Sequence, residues 1–156
     1  MNTEDHSLSL PATVNPVWRI GIVHALYYKE DVDRMVTSAV ETLVEAGIRR
    51  ENVTLYPVAG SFEIPCIGAV LAEKRMADAL IGFGIIVEGE THHAALIAQQ
   101  VVRGVMNVQT RLHTPFAFEV LYVHSIADAQ QRCVSRGKEA AIAILHSLAQ
   151  VQGLLS

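Results

Sequence analysis

The residues best suited to chemistry form a run in the middle of the chain, Gly89–His93 (GETHH), at the predicted start of a helix. A helix that follows glycine presents free N–H groups and the positive end of its dipole, so it suits an anion such as phosphate. The Thr91 hydroxyl would either bind that anion or simply cap the helix. Because neighbouring helical residues diverge by about 100°, only one of His92 and His93 is expected to face a ligand as a proton carrier.

A second run, Gly60–Pro65 (GSFEIP), lies at a predicted strand-to-helix turn. Glycine allows a ligand to approach the backbone closely. Phe62 offers an apolar wall, and Glu63 offers a hydrogen-bond acceptor near the helix start. Glu63 would also favour the helix dipole without any ligand, so a purely structural role stays open.

Aromatic and basic residues elsewhere are weaker candidates. Tyr27 follows the first predicted strand, where a ring either stacks on a flat heterocycle or only covers the end of the sheet. Arg132 and Arg136 flank the last predicted bend and are suited to phosphate, although solvated surface charge is the ordinary role of such residues.

Histidines supply one more alternative, a metal site. His24, His93 and His124 are expected at the same end of the sheet, and three converging histidines can bind a metal ion. No closely spaced pair such as HxxxH supports that chemistry. We therefore expect no metal.

The elements that must position these residues alternate between strand and helix signals. The predicted strands are Val17–Ala25, Val53–Ala59, Ala77–Val87 and Pro115–Val123, and the predicted helices are Lys29–Ala46, Phe62–Met76, Thr91–Leu112, Ser125–Arg132 and Gly137–Val151. Such alternation predicts an α/β fold with a parallel sheet and helices on both faces. Ligands of such sheets bind outside the carboxyl ends of the strands, which is where the candidate residues fall.

Composition limits the classes of function. The chain has 156 residues, of which 51% are apolar and 18% charged, and a formal net charge of −4. No cluster of lysine and arginine is present, so we expect no nucleic-acid partner. The longest apolar run, near Ala79–Val87, is too short to span a bilayer, so we expect no membrane association. The low charge content suggests surface buried against other subunits.

The ends and cysteines of the chain indicate one domain in a reducing compartment. Residues 1–16 are polar and slightly acidic, so we interpret them as an N-terminal arm rather than a signal peptide, and residues 17–156 as a single domain. Cys66 and Cys133 lie far apart without a CxxC motif, which favours reduced thiols. We expect a cytoplasmic protein.

From about Arg19 to Leu148 the sequence resembles the lumazine synthase family. Four segments carry the resemblance in order: GIVHALYYKE, AGSFEIP, GIIVEGETHH with AALIAQQVVRG after it, and PFAFEVLYVHSIADAQQR followed by RGKEAA. The GSFEIP and GETHH motifs, each at its strand end, are the specific ones. The resemblance implies a flavodoxin-like three-layer αβα sandwich with a four-stranded parallel sheet.

The same resemblance implies a reaction and an assembly. The family condenses 5-amino-6-(D-ribitylamino)uracil with 3,4-dihydroxy-2-butanone 4-phosphate to 6,7-dimethyl-8-ribityllumazine and releases phosphate, the penultimate step of riboflavin biosynthesis. No cofactor or metal is implied. A homo-oligomer is implied, a pentamer or a multiple of pentamers, with active sites between subunits. Riboflavin synthase is a candidate partner.

By resemblance, one set of residues would hold the uracil substrate: Tyr27, Ser61, Phe62, Glu63, Ile86 and Val87. Tyr27 takes the place of the aromatic that stacks on the pyrimidine ring. Phe62 and the backbone around Ser61 would help to bind the uracil, and Glu63 would bind the ribityl hydroxyls. The backbone of Ile86 and Val87 would read the edge of the ring.

A second implied set serves the phosphate and the chemistry: Gly89, Glu90, Thr91, His93, Phe118, Arg132 and Arg136. The first three would hold the phosphate through N–H groups and the threonine hydroxyl. His93 falls on the catalytic histidine, and His92 does not. Phe118 and Arg132 fall on positions that the neighbouring subunit supplies, Arg132 on the phosphate-binding arginine. Arg136 takes the place of a substrate-binding lysine.

The chain departs from the family pattern at several positions. Glu88 stands where a basic residue is common, and a carboxylate there would weaken phosphate binding. Glu119 stands where glycine is usual, and Leu26 and Tyr28 replace commoner polar residues beside Tyr27. These departures keep an alternative open, a flavodoxin-like module that binds flavin or lumazine without catalysis. A structural shell protein is a third reading.

Overall fold

Strands and helices alternate along residues 8–156, which are the residues that the computed structural model describes. The strands are β1 (Ile20–Ala25), β2 (Val53–Val58), β3 (Ala79–Val87) and β4 (Phe116–Val123). The helices are α1 (Lys29–Glu45), α2 (Ile64–Glu73), α3 (His93–Leu112), α4 (Ile126–Gln130) and α5 (Cys133–Leu155), with short 3₁₀ turns at Arg50–Asn52 and Ser61–Glu63.

The four strands form one parallel sheet in the order β2-β1-β3-β4. One face of the sheet is covered by α1 and α5, and a buried cluster that includes Ile22, Met35 and Leu145 fills that layer. The other face is covered by α2 and α3 over a cluster that includes Leu80 and Val101. The predicted three-layer flavodoxin-like sandwich is therefore confirmed.

Close packing between α1 and α5 depends on one glycine. A Cβ atom at Gly137 would lie 2.3 Å from the carbonyl oxygen of Met35, so only glycine allows these two helices to approach so closely. The sequence pattern suggested Gly137 as the start of the last helix. That boundary is wrong, because α5 begins at Cys133 and Gly137 lies inside it as a packing position.

This correction changes the setting of the two arginines. The predicted bend between Arg132 and Arg136 is absent, since the Arg136 N–H already donates to the Arg132 carbonyl oxygen at 2.9 Å, as in a helix. Arg132 is the residue that precedes α5, and Arg136 lies in its first turn. The helix also continues to Leu155, four residues beyond its predicted end.

The N-terminal arm is described only in part. Residues 1–7 of the predicted arm lie outside the described residues, and residues 8–15 contain no helix or strand. The His146 ring forms a 2.6 Å hydrogen bond with the Ser9 carbonyl oxygen, so this segment runs beside α5. None of the helices within residues 8–156 is long and apolar enough to cross a membrane.

Candidate active site

Because all four strands are parallel, their carboxyl ends meet at one edge of the sheet, which we call the carboxyl edge. The loops that leave this edge are residues 26–28, 59–60, 88–92 and 124–125. They carry or lead directly into the GSFEIP and GETHH motifs. The structure thus brings the two predicted motifs and the Tyr27 loop to the same edge.

Two large aromatic side chains at this edge face solvent. Tyr27 is 71% exposed and Phe62 is 60% exposed. Tyr28 adopts a left-handed conformation (φ 53°, ψ 46°) in front of α1, which is uncommon for a bulky residue. Its ring meets that of Tyr27 edge to face at 6.3 Å between centroids. Exposed rings of this kind offer a stacking surface to a flat ligand.

The GSFEIP turn is fitted onto β3 through a glycine that sequence reasoning missed. Ser61 is buried, and a Cβ atom at Gly84 would lie 2.2 Å from its Oγ atom. An isolated glycine inside an apolar strand is the signal that could have revealed this close approach. Glu63 Oε2 accepts a hydrogen bond from the Gly60 N–H at 2.9 Å, so one oxygen of the carboxylate stabilises the turn.

The end of β3 extends beyond its neighbour β1. Pairing with β1 ends at Phe83, whereas pairing with β4 continues to Val87. Successive residues of a strand direct their backbone N–H and C=O groups to opposite neighbouring strands, so residues two apart point to the same strand. Since the Glu88 N–H donates to Val123 on β4, the groups of Ile86 also point to β4, and those of Val87 point to the open side. The Val87 backbone is therefore the one that this geometry leaves for a ligand.

The GETHH loop is exposed along its length, and its helix begins later than predicted. α3 starts at His93 rather than Thr91, because residues 88–92 form a turn rather than the first turn of the helix. Thr91 Oγ1 accepts a hydrogen bond from the His93 N–H at 3.4 Å within this turn, whereas the N-cap residue of α3 is His92, which makes no side-chain cap. Within residues 8–156, the N–H groups of Gly89, Glu90, Thr91 and His92 donate to no protein acceptor. Four such donors in a row before a helix suit an anion.

Phe118 lies far from the carboxyl edge of its own subunit. It pairs with Gly82 in the middle of β4, five residues before the strand ends at Val123. At about 3.3 Å per residue, this distance is roughly 17 Å. The structure therefore does not bring Phe118 to the loops of the same chain, and β4 is an edge strand.

Arg132 and Arg136 lie on the α1 and α5 side of the sheet, where the adjacent Cys133 belongs to the buried cluster of that layer. Phe62 and the start of α3 belong to the opposite layer. Arg132 is exposed and Arg136 forms an ion pair with Glu139 at 3.5 Å. Within one subunit, neither arginine joins the set formed by the GSFEIP and GETHH motifs.

Two buried or partly buried titratable groups in the sheet, Glu119 and His24, have shifted pKa values. Burial raises the pKa of Glu119 on β4 to about 7, with Arg136 opposing the shift and Glu139 adding to it. Burial lowers the pKa of His24, whose Nδ1 atom is buried without a hydrogen-bond partner, while Asp33 opposes the shift. Sequence reasoning missed the titration of Glu119, because the burial of an edge-strand residue depends on where α5 packs.

No cluster of three or more histidine, cysteine, aspartate or glutamate side chains in residues 8–156 is arranged to hold a metal ion. His24 is buried within the sheet, whereas His93 and His124 are exposed. Their strand ends lie at the same edge, but the three imidazoles are not gathered into one ligand set.

These features define a class: an α/β protein with a small-molecule site at the carboxyl edge of a parallel sheet, formed by an aromatic surface beside a loop of free N–H groups. Comparison with known proteins makes the assignment specific. The family model for 6,7-dimethyl-8-ribityllumazine synthase matches residues 17–152. The chain belongs to this family, as the sequence resemblance predicted.

Individual relatives agree with the family model. The chain is 35% identical over 131 residues to the 6,7-dimethyl-8-ribityllumazine synthase of Aquifex aeolicus (strain VF5), which covers 81% of this chain and 85% of that protein. It is 37% identical over 124 residues to the enzyme of the same name from Limosilactobacillus reuteri, covering 79% of this chain and 80% of that protein. The corresponding protein of Neisseria meningitidis serogroup C (serotype 2a) is 36% identical over 123 residues, or 79% and 78% of the two chains.

Proposed function

We propose that this chain is a transferase that condenses 5-amino-6-(D-ribitylamino)uracil with 3,4-dihydroxy-2-butanone 4-phosphate to 6,7-dimethyl-8-ribityllumazine and releases phosphate. One observation carries the proposal: the unpaired N–H groups of residues 89–92 lie at the same sheet edge as the exposed rings of Tyr27 and Phe62. An anion subsite beside a stacking surface suits a phosphorylated substrate and a flat heterocycle. Family membership supplies the identity of the two substrates.

The uracil would lie against the ring of Tyr27, with Phe62 as a second apolar wall. The backbone of Val87 points to the open side of β3 and can pair with the polar edge of the ring. One Glu63 oxygen is held by Gly60, and its carboxylate retains further acceptor sites for ribityl hydroxyls. Holding two reactants together removes much of the entropic barrier to their reaction.

The phosphate would lie on the N–H groups of Gly89, Glu90 and Thr91. His93 follows this loop at the first position of α3 and is exposed, so its imidazole is available for proton transfer. Attack of the uracil amine on the ketone requires removal of a proton from nitrogen, and departure of phosphate is assisted by a proton donor. An imidazole can take both parts in sequence, and the loop stabilises the charge that develops on the phosphate.

A homo-oligomer, a pentamer or a multiple of pentamers, completes this proposal, with Phe118, Arg132 and Arg136 reaching the site of a neighbouring subunit. Their position supports it, since Phe118 lies about 17 Å along β4 from its own carboxyl edge and the arginines lie on the other side of the sheet. Exposed apolar side chains on α3, among them Leu96 and Met106, supply surface for such contacts. We also propose a cytoplasmic location and riboflavin synthase as partner.

Mixed oligomers test the shared site directly. The His93→Ala protein alone should be nearly inactive. The Arg132→Ala protein alone should turn over slowly when butanone phosphate is limiting. Subunits of the two variants, unfolded and reassembled together, should regain a fraction of activity, because some sites then receive an intact histidine and an intact arginine from different subunits. Light scattering that shows a monomer at micromolar concentration would contradict the arrangement.

The reaction is tested by following absorbance of the lumazine product from the two purified substrates. We expect turnover without added cofactor and unchanged activity in the presence of a chelator. A protein that binds a lumazine or flavin but gives no product would contradict the proposal and establish the non-catalytic alternative, which nothing in the structure or in the comparisons favours. Particle sizing of the same sample addresses the shell reading, which does not exclude catalysis.

A further inference from the structure

Three polar side chains meet where β3 and β4 end, and we call them the Glu88 cluster: Glu88, Tyr122 and His124. His124 Nδ1 lies 2.5 Å from Glu88 Oε2. The Glu88 N–H also donates to the carbonyl oxygen of Val123 at 2.8 Å, so the two strand ends are joined by backbone and side chain together. The alternation of side chains along β3 and β4 places all three members on the α2 and α3 face of the sheet.

The Glu88 carboxylate interacts with both other members of the cluster. Burial raises the pKa of the Tyr122 hydroxyl, and the nearby Glu88 carboxylate raises it further. His124 Nδ1 lies against the same carboxylate at ion-pair distance. The side chain of Glu88 is 39% exposed and that of His124 is 87% exposed, so water screens their interaction.

The cluster adjoins the anion subsite of the proposed function. Glu88 directly precedes Gly89, the first of the four residues with unpaired N–H groups. A free carboxylate at this point would repel a bound phosphate, and Glu90 already adds one negative charge to the loop. The contact with His124 holds the Glu88 carboxylate towards β4.

We propose that His124 is a positioning residue that acts through Glu88 to set the affinity of the loop Gly89–His92 for the phosphate of the butanone substrate. The inference rests on the proposed function, because it concerns the same anion subsite. The Glu88 cluster then controls how tightly the phosphorylated substrate binds, and it has little influence on the binding of the uracil.

The test is a double-mutant cycle of Glu88→Gln and His124→Gln in the assembled protein. The dissociation constant of inorganic phosphate is measured by calorimetry, and the Michaelis constants of both substrates by lumazine formation. Loss of His124 frees the Glu88 carboxylate to turn towards the loop, so we expect the affinity for phosphate and for butanone phosphate to weaken about two- to fivefold, the range for a solvent-screened charge. The constant for the uracil should change less than about twofold.

The double variant separates charge from structure. When Glu88 is also glutamine no carboxylate remains to repel phosphate, so phosphate binding should return close to the wild-type value. Glu88→Gln alone should bind phosphate as well as the wild type or better. The effect of His124→Gln should also shrink in about 0.5 M salt, where charges are screened within a few ångströms.

Asp78→Asn provides a matched control. Asp78 pairs with Arg19 at 3.2 Å at the opposite edge of the sheet, so its loss removes a comparable ion pair without touching the loop. It should leave the phosphate constant unchanged.

Equal weakening of both substrates by His124→Gln, or a double variant worse than the single one, would overturn the inference and make the cluster a structural clamp. The inference would also be overturned by a protein that makes the lumazine product but whose phosphate binding does not change when Glu88 or His124 is substituted. A wild-type protein without turnover, whose phosphate binding still follows the cycle, would overturn the proposed function and support the inference.

Discussion

Glu119 on β4 offers a direct test of how the packing of α5 sets an electrostatic property of the sheet. Its carboxyl group is half-buried, and the pKa is raised from its ordinary value of 4.5 to about 7, chiefly by burial. Arg136 opposes the shift and Glu139 adds to it. We predict that Glu119→Gln stabilises the folded protein above neutral pH and has little effect near pH 4.5.

The sign follows from the protons bound in each state. Between pH 4.5 and about 7 the unfolded chain has lost the Glu119 proton, which the folded chain still holds. The free energy of unfolding therefore falls as the pH rises through this window and then stays lower. Glutamine cannot titrate, so the gain from the substitution should grow over the same window.

The size of the Glu119 pKa shift sets an upper bound on the free energy that Glu119→Gln can add to stability. A tenfold change in proton affinity corresponds to about 1.4 kcal/mol, so the full shift would be worth roughly 3 kcal/mol. Solvent reaches part of the carboxyl group and screens it, so we expect about 1–2 kcal/mol.

The assay is urea unfolding of both proteins at about pH 5 and about pH 8, at one fixed protein concentration because assembly contributes to apparent stability. Glu139→Gln is the matched control, since its side chain is 55% exposed and pairs with the same arginine. It should give a smaller pH-dependent change. A Glu119→Gln protein that gains nothing at pH 8, or gains equally at both pH values, would refute this account of Glu119.

Three further changes probe the site and the core. Tyr27→Ala should weaken binding of the uracil substrate by about 1–3 kcal/mol, whereas Tyr27→Phe should be nearly neutral because the face of the ring does the stacking. An unchanged Michaelis constant for the uracil in Tyr27→Ala would remove Tyr27 from the site. His93→Ala should lower turnover about a hundredfold while binding of a stable uracil analogue persists; a more damaging His92→Ala would reassign the proton carrier. Because burial lowers the pKa of His24 below 6.5, stability should decline as the pH falls below that value, and His24→Gln should reduce this decline in acid unfolding curves; parallel curves for the two proteins would show that His24 does not contribute.

The sequence by itself determined the fold class and the edge at which the motifs meet. Apolar runs such as Ala77–Val87 and helical periodicities such as that of Lys29–Ala46 are local patterns, and their alternation predicts a parallel sheet with helices on both faces. In that arrangement every strand-to-helix loop emerges at the carboxyl edge. The sequence alone therefore places the GSFEIP and GETHH motifs at the same edge.

Only the tertiary structure decided the packing, burial and partners of individual residues. Gly137 resembles a helix boundary in the sequence, but its role depends on contact with Met35, about one hundred positions away along the chain. The burial of Glu119, the partner of Glu88 and the direction of the Val87 backbone depend in the same way on which strands and helices are neighbours. Local propensity specifies elements, whereas close packing and charge are properties of residues distant in sequence that the fold brings together.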